Sequence, residues 1–130
     1  MFPESHLDLL SDERRAVAYL ATVMPDGSPQ VTPVWFLYEN GELKINTVRG
    51  RVKEKNMSSR PQVALLIQDP DESYRYLQVR GLAAGPTEEG AVDHIGRLSQ
   101  KYEGKPFRAL LPNEVRVIFE IEASSINTSG

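Results

Sequence analysis

Alternation of hydrophobic and polar residues is the strongest pattern in this chain, and it predicts a protein built mainly from β-strands. The predicted strands are residues 16–23, 30–38, 43–47, 62–68, 74–83 and 115–121. The pairs Asp26-Gly27 and Asn40-Gly41 separate the first three strands, and both are typical of tight hairpin turns. We therefore expect the first three strands to form an antiparallel meander.

Three details refine these strands. Residues 62–68 are almost continuously apolar, which predicts a strand buried on both faces. Gly81 interrupts a regular strand, so we expect a β-bulge at that position. The last strand is expected to bury one face, formed by Val115, Val117, Phe119 and Ile121.

Helical patterns occur in three other places. A short helix is predicted over residues 5–10, and a basic helix begins at Gly50 and stops before Pro61. A longer helix is predicted from an N-cap at Thr87 to about residue 102, followed by Gly104. Its expected buried stripe consists of Ala91, Ile95, Leu98 and Tyr102.

Six strands and two or three helices predict a mostly β fold with flanking helices, in a single domain over residues 1–130. A small antiparallel barrel suits this pattern, because closure leaves no exposed strand edge. A plain α+β sandwich fits the same pattern, so the pattern alone leaves both architectures open.

The composition excludes several classes of function. The chain has no Cys, and its two His residues, His6 and His94, lie far apart, so we expect no disulfide, thiolate chemistry or metal site. A net charge of −3 argues against a nucleic-acid-binding protein, which needs a broad basic face. No apolar run is long enough to span a membrane and no signal peptide is evident, so we expect a cytoplasmic protein.

A short basic segment opposes the negative net charge. Arg49, Arg51, Lys53 and Lys55 fall within seven residues that contain one acid, and a predicted strand and Gly50 position them at a helix start. This arrangement favours a bound phosphate, because the first N–H groups of a helix and its dipole attract anions. A solvated basic helix without a ligand is the alternative interpretation of these residues.

The neighbouring strand over residues 30–38 contains Pro33, which cannot donate to a sheet ladder and therefore belongs at an edge or a bulge. A ladder break there would leave peptide groups free to contact a planar ring. Trp35 follows closely, and it fits either stacking on such a ring or packing in the core.

Catalysis by side chains has little support in the sequence. His94 lies on the predicted long helix beside Asp93, and adjacent helical residues do not face each other. We therefore expect His94 to be a surface or interface residue, and we predict no catalytic side chain. A redox cofactor would supply chemistry that such a protein lacks.

Several segments match those of a known family in their order and spacing. They are residues 21–23, 26–31, 33–36, 46–47, 50–56, 60–65, 76–81, 89–91, 94–95, 98–102 and 115–118. With these segments the chain resembles the split-barrel flavin and deazaflavin oxidoreductases, the pyridoxamine 5'-phosphate oxidase-like superfamily. Within it, the chain is most similar to the branch that uses the deazaflavin coenzyme F420.

The resemblance implies a six-stranded antiparallel split β-barrel, also called an FMN-binding split barrel, that forms a homodimer with cofactor sites between the subunits. Arg51 and Lys53 would hold the cofactor phosphate, with Asn56 supporting them and Lys55 as a weaker contact. The backbone of Thr32, Pro33, Val34 and Trp35 would lie against the ring, with Asn46 and Thr47 beside the cofactor's side chain. The partner subunit would contribute Tyr76, Gln78 and Arg80.

The resemblance therefore implies an oxidoreductase that transfers a hydride from reduced coenzyme F420 to an electron-poor organic acceptor. Because the sequence offers no strong general acid, we expect water to supply the proton. FMN is the alternative cofactor, in an oxidase or reductase of the same fold. The acidic tail of F420 needs a longer basic groove, for which Arg49, Lys55 and Arg75 are available. A non-catalytic carrier or sensor of a flavin, a deazaflavin or haem is a further alternative.

Overall fold

The structure is a computed structural model that describes residues 2–130. In chain order its elements are a 3₁₀ helix over Glu4–Leu10, β1 (Ala18–Val23), β2 (Pro29–Val34), β3 (Phe36–Glu39), β4 (Glu42–Val48), α1 (Val52–Ser59), β5 (Gln62–Gln68), β6 (Tyr76–Thr87), α2 (Ala91–Glu103) and β7 (Arg116–Ser129). The protein is thus mostly β with flanking helices, as predicted.

All seven strands of residues 2–130 belong to one antiparallel sheet with the order β2-β1-β5-β6-β7-β4-β3. β2 and β3 form opposite edges of this sheet, although only Trp35 separates them in the chain. The sheet must therefore curl until its two edges meet at Trp35. This curling closes the sheet around the core and confirms the predicted antiparallel barrel.

The break at Trp35 also corrects two predictions. The strand predicted over residues 30–38 is divided into β2 and β3, so the sheet has seven strands instead of six. The predicted meander is wrong, because the β1–β2 and β3–β4 hairpins lie at opposite edges. Pro33 does lie in an edge strand, opposite Tyr19, where a missing donor is tolerated.

The core fills the interior of the curled sheet, with Phe36 and Phe119 among its largest fully buried side chains. β5 was expected to be buried on both faces, but its outward Ala64 and Leu66 are only half-buried. Val115 is also exposed, because β7 begins at the next residue and Val115 belongs to the preceding loop.

The predicted bulge at Gly81 is confirmed by a register shift between Arg80 and Gly81, where β6 pairs with β7. Here the backbone of Glu122 approaches closely. A Cβ atom at position 81 would lie 2.0 Å from the Glu122 carbonyl oxygen, so the position requires glycine.

The two α-helices follow the sequence patterns closely, with one exception. α1 begins shortly after Gly50 and stops before Pro61, and the stripe predicted for α2 is buried or half-buried. Thr87 is not the N-cap of α2, because it ends β6 by pairing with Ile118, and Gly90 is the N-cap. No helix within residues 2–130 is long and apolar enough to cross a membrane.

Candidate functional site

A cavity of about 420 Å³ lies where the β2–β3 break, the start of α1, helix α2 and the loop over residues 104–115 meet. Four of its lining side chains are cations: Arg51, Lys53, Arg108 and Arg116. Within the described residues, no Asp or Glu lines it. The remaining wall is mainly apolar and aromatic, and it includes Trp35.

Six of the predicted cofactor-binding residues line this cavity. They are Pro33, Val34, Trp35, Asn46, Arg51 and Lys53. The other seven do not line it in a single chain: Thr32, Thr47, Lys55, Asn56, Tyr76, Gln78 and Arg80. The structure thus brings together the predicted phosphate pair and most of the predicted ring-binding backbone, which are separated in sequence.

Four residues that were predicted to contact the cofactor from the same subunit lie outside the cavity lining, in different environments. The hydroxyl oxygens of Thr32 and Thr47 are buried and have no hydrogen-bond partner among residues 2–130. Lys55 is exposed. Asn56 is buried, donates to Thr22 Oγ1 at 3.0 Å and accepts from Arg60 Nη2 at 3.1 Å, so it joins α1 to the sheet.

Gln78 and Arg80, expected from the partner subunit, lie on the outward face of β6, and Tyr76 shares that face. Two further cations considered for a basic groove are engaged in ion pairs. Arg49 bonds to Glu88 at 2.7 Å, and Arg75 bonds to acidic residues near the 3₁₀ helix.

The start of α1 supplies two of the cavity's cations. Arg51 occupies the N-cap and makes no side-chain cap hydrogen bond. A free N–H group was expected at Gly50, but this N–H donates to Glu54 Oε1 at 2.8 Å. Burial lowers the pKa of Lys53, and the nearby Arg51 and Arg116 lower it further. An anion in the cavity would counter this repulsion.

The aromatic wall is fixed by the C-terminal end of α2. Trp35 stacks on Tyr102 with ring centroids 5.1 Å apart and an angle of 9° between the planes. The Tyr102 hydroxyl accepts from Phe36 N at 3.3 Å, and Lys101 Nζ donates to Phe36 O at 2.9 Å. Both peptide groups of Phe36, the first residue after the break, are therefore bonded to side chains of α2.

A buried polar network beside the cavity was missed by the sequence analysis. Arg116 Nε donates to Asn46 Oδ1 at 2.8 Å, and Asn46 Nδ2 donates to the Ala91 carbonyl at 2.9 Å and to His94 Nδ1 at 3.0 Å. The one available signal was a cation, Arg116, at the start of an otherwise apolar strand.

His94 is buried, so the expectation of a surface or interface residue is wrong. The reason lies in its spacing: His94 follows Ala91 by three residues and precedes Leu98 by four, which places it on the buried stripe of α2. Burial lowers the pKa of His94 to about 4, assisted by the positive charges of Arg97 and Lys44. His94 is therefore neutral at pH 7.

Glu114 anchors the loop that covers one side of the cavity. Its carboxylate accepts from Arg108 Nη1 at 2.7 Å, from Arg116 Nη1 at 2.9 Å and from the Leu111 N–H at 2.9 Å. The hydrogen bond from Arg108 is the largest of the causes that lower the pKa of Glu114 to about 2. Both arginines also lie near the ring of Phe107.

These features fit a ligand with an anionic group and a flat apolar part. The cations would hold the anion, and the wall around Trp35 would contact the flat part. No group of three or more His, Cys, Asp or Glu side chains in residues 2–130 is placed to hold a metal ion.

Comparisons with known proteins agree with this description. A family model described as pyridoxamine 5'-phosphate oxidase matches residues 2–129. A solved structure named F420 reductase is 33% identical with a TM-score of 0.84, and the match covers 97% of this chain and 98% of that chain. No curated protein matches the sequence.

Two more distant structures share the fold. The conserved hypothetical protein Rv2991 from Mycobacterium tuberculosis is 25% identical with a TM-score of 0.77, covering 99% of this chain and 85% of its own. The haem storage protein HutZ from Vibrio cholerae is 16% identical with a TM-score of 0.70, covering 100% of this chain and 96% of its own. At that identity, the likeness to HutZ shows the fold alone. Because the family model spans nearly the whole chain, this protein belongs to the pyridoxamine 5'-phosphate oxidase-like split-barrel superfamily.

Proposed function

We propose that the protein is a cytoplasmic, homodimeric oxidoreductase that uses coenzyme F420 to reduce an electron-poor organic acceptor. The observation that carries this proposal is the cavity lined by four cations and no described acid, next to an apolar and aromatic wall. When bound, the reduced deazaflavin supplies the hydride.

Arg51 and Lys53 would bind the cofactor's phosphate. They lie at the N-terminal end of α1, where the helix dipole adds to their positive charge. Without a bound anion, the site disfavours the charged form of Lys53, since burial and two neighbouring arginines lower its pKa. Phosphate binding would therefore be strengthened by relief of repulsion as well as by direct hydrogen bonds.

The ring would lie against residues 32–35. Trp35 is held by its stack on Tyr102, and Lys101 and Tyr102 fix the backbone of Phe36. This support gives the wall a fixed geometry, which favours hydride transfer by holding the cofactor in one orientation. We assign no proton donor to a side chain: His94 is neutral and outside the cavity lining, and water would supply the proton.

The interface of the proposed dimer lies on the outward face of the sheet. Tyr19 is 41% exposed and Val31 is 65% exposed on β1 and β2, and Leu66 of β5 lies beside Tyr19. On the same face, Tyr19 pairs with Pro33, which lines the cavity, and Leu66 pairs with Gln78 on β6. A second copy on this apolar face would lie next to the cavity, with Gln78, Arg80 and Tyr76 available to contact a neighbouring cofactor.

The choice of coenzyme F420 over FMN is supported by the structure named F420 reductase, whose match covers nearly all of both chains. Titration of the purified protein with coenzyme F420 and with FMN, followed by fluorescence, tests this choice directly. We expect saturable binding of F420 that is tighter than binding of FMN. Tighter FMN binding would replace the cofactor assignment, and no binding of either would contradict the proposal. Sedimentation measures the dimer separately.

A further inference from the structure

Of the four cations that line the cavity, Arg116 is the one that is buried. Its side chain is 5% exposed, yet it lines the cavity. Asn46 Oδ1 accepts from its Nε at 2.8 Å and Glu114 Oε2 accepts from its Nη1 at 2.9 Å. A guanidinium held at two points has little rotamer freedom left to lose when a ligand binds.

The orientation of Asn46 follows from its partners. Arg116 only donates and the Ala91 carbonyl only accepts, so Asn46 must present Oδ1 to Arg116 and Nδ2 to Ala91. The same Nδ2 group also donates to His94 Nδ1 at 3.0 Å, which makes Nδ1 an acceptor and places the His94 proton on Nε2. His94 thereby helps to fix Asn46, and Asn46 fixes Arg116.

Arg116 also has unused hydrogen-bonding capacity. A guanidinium carries five N–H groups, and those of Arg116 make two hydrogen bonds within residues 2–130, to Asn46 and to Glu114. Three donors remain on a side chain that borders the cavity. Glu114 does not balance the local charge, because its single carboxylate is shared between Arg108 and Arg116.

We propose that Arg116 is a third anion-binding residue, which acts with Arg51 and Lys53 on the same phosphate-bearing end of the ligand. Asn46 and His94 are positioning residues that hold its guanidinium in place. This inference deepens the proposed function and rests on the same cavity. It assigns the site to a ligand whose anionic part accepts hydrogen bonds from both α1 and β7.

The test measures the dissociation constant of coenzyme F420 for Arg116→Gln, Arg116→Lys and Asn46→Ala, at several salt concentrations. Loss of charge-assisted hydrogen bonds predicts about ten- to hundredfold weaker binding for Arg116→Gln and a weaker salt dependence. Arg116→Lys should lie between, because lysine keeps the charge but lacks the planar fork. Arg97→Gln, an exposed cation on α2, serves as the matched control.

A double-mutant cycle separates positioning from general structure. If Asn46 acts through Arg116, Asn46→Ala weakens binding in the native chain but adds nothing once Arg116→Gln is present. Additive effects would contradict the positioning role. Unchanged binding by Arg116→Gln in a protein with native circular dichroism would overturn the inference.

Failure here is distinguishable from failure of the proposed function. If Arg51→Glu with Lys53→Glu abolishes binding while Arg116→Gln binds normally, only the inference about Arg116 fails. If the native protein binds neither F420 nor FMN, the proposed function fails. In that case, titration with inorganic pyrophosphate, monitored by ³¹P nuclear magnetic resonance, still decides whether Arg116 belongs to an anion site.

Discussion

Charge is arranged in opposite ways in two regions of this molecule. In the ion-pair cluster formed by Asp8, Arg14, Asp69 and Arg75, each cation contacts at least one carboxylate, and Arg75 contacts two, at 2.6 and 2.9 Å. In the cavity, positive side chains lie near one another and no described acid shares the lining. The first region joins the 3₁₀ helix to the turn between β5 and β6, and the second encloses space for a ligand.

The pKa shifts follow this difference. In the ion-pair cluster, the hydrogen bond from Arg75 is the largest of the causes that lower the pKa of Asp8, and the same contacts raise the pKa of Arg75. Near the cavity, burial lowers the pKa of Lys53, Arg116 and Lys101, the last to about 8. Folding stabilises the charged forms of Asp8 and Arg75 and disfavours those of Lys53, Arg116 and Lys101. Glu114 pairs with both Arg108 and Arg116, so its single carboxylate leaves the cavity with an excess of positive charge that an external anion can balance.

The largest expected effect is on cofactor binding. Arg51→Glu combined with Lys53→Glu should weaken F420 binding by about 3–6 kcal/mol, because two charge-assisted phosphate contacts of about 1.5–3 kcal/mol each are lost and repulsion replaces them. The fold should persist, since neither side chain has an ion-pair partner among residues 2–130. Fluorescence titration and circular dichroism measure the two quantities.

The matched control changes the same segment and the same number of charges outside the cavity. Arg49→Glu with Lys55→Glu should change F420 binding much less, because neither residue lines the cavity and solvent screens their charges. An equal loss of F420 binding in both double variants would mean that the whole basic segment attracts anions. The unpaired charge in the cavity would then not explain cofactor binding.

Local sequence patterns predicted the features of the fold and the cavity that depend on residues close together in the chain. Gly50 and the following cations correctly located α1, and Arg51 and Lys53 do line one cavity. Alternation correctly located most strands, and Gly81 correctly marked a bulge. Each of these features is set by a few consecutive residues, whose conformational preferences and spacing are readable in order.

Features that depend on distant pairing were not predictable in this way. Asn46 and Arg116 are 70 positions apart, and they meet only because β4 and β7 pair with a particular register. The division of one predicted strand at Trp35 likewise depends on the two edges of the sheet meeting there. Alternation shows which face a residue occupies, but it does not show which strand lies beside it.

The effect of burial beside the cavity can be measured at His94 through the pH dependence of protein stability. Its pKa is about 4 in the folded protein, below the ordinary value of 6.5, so the unfolded chain binds a proton more readily. The stability due to neutral His94 is complete above pH 6.5 and is lost as the pH falls toward 4. At pH 4 this loss amounts to about 3 kcal/mol.

His94→Gln removes this titration but keeps a polar group that can accept from Asn46. Urea unfolding at pH 7 and pH 4 should therefore show a smaller loss of stability for the variant than for the native protein, by about 3 kcal/mol. Parallel losses in the two proteins would show that His94 titrates normally, and that the network around Asn46 does not depend on its neutral form.

Lys101 gives a smaller effect in the opposite pH range. Burial lowers its pKa to about 8 from 10.5, so the folded protein releases the proton first and stability rises as the pH increases between these values. Between pH 7.5 and 9.5, the native protein should gain about 2 kcal/mol relative to Lys101→Met. Urea unfolding measures the gain, with the exposed Lys105→Met as the control; an equal gain in all three proteins would contradict burial of the charge.

The smallest expected effect lies in the ion-pair cluster. Arg75→Gln removes both carboxylate contacts of Arg75, so the temperature of unfolding should fall by a few degrees at pH 7, while F420 binding stays unchanged. Exposure to solvent limits the loss, and Arg14 still bonds to Asp69.

The pH dependence of Arg75→Gln distinguishes lost ion pairs from lost packing. The pKa of Asp8 is lowered in the folded protein, so its contribution to stability is present above its ordinary value of 3.8 and is lost as the pH falls further. The difference between the native protein and Arg75→Gln should therefore shrink in strong acid. A difference that persists there would assign the effect to the packing of the Arg75 side chain, and a change in F420 binding would mean that the two regions are coupled rather than separate.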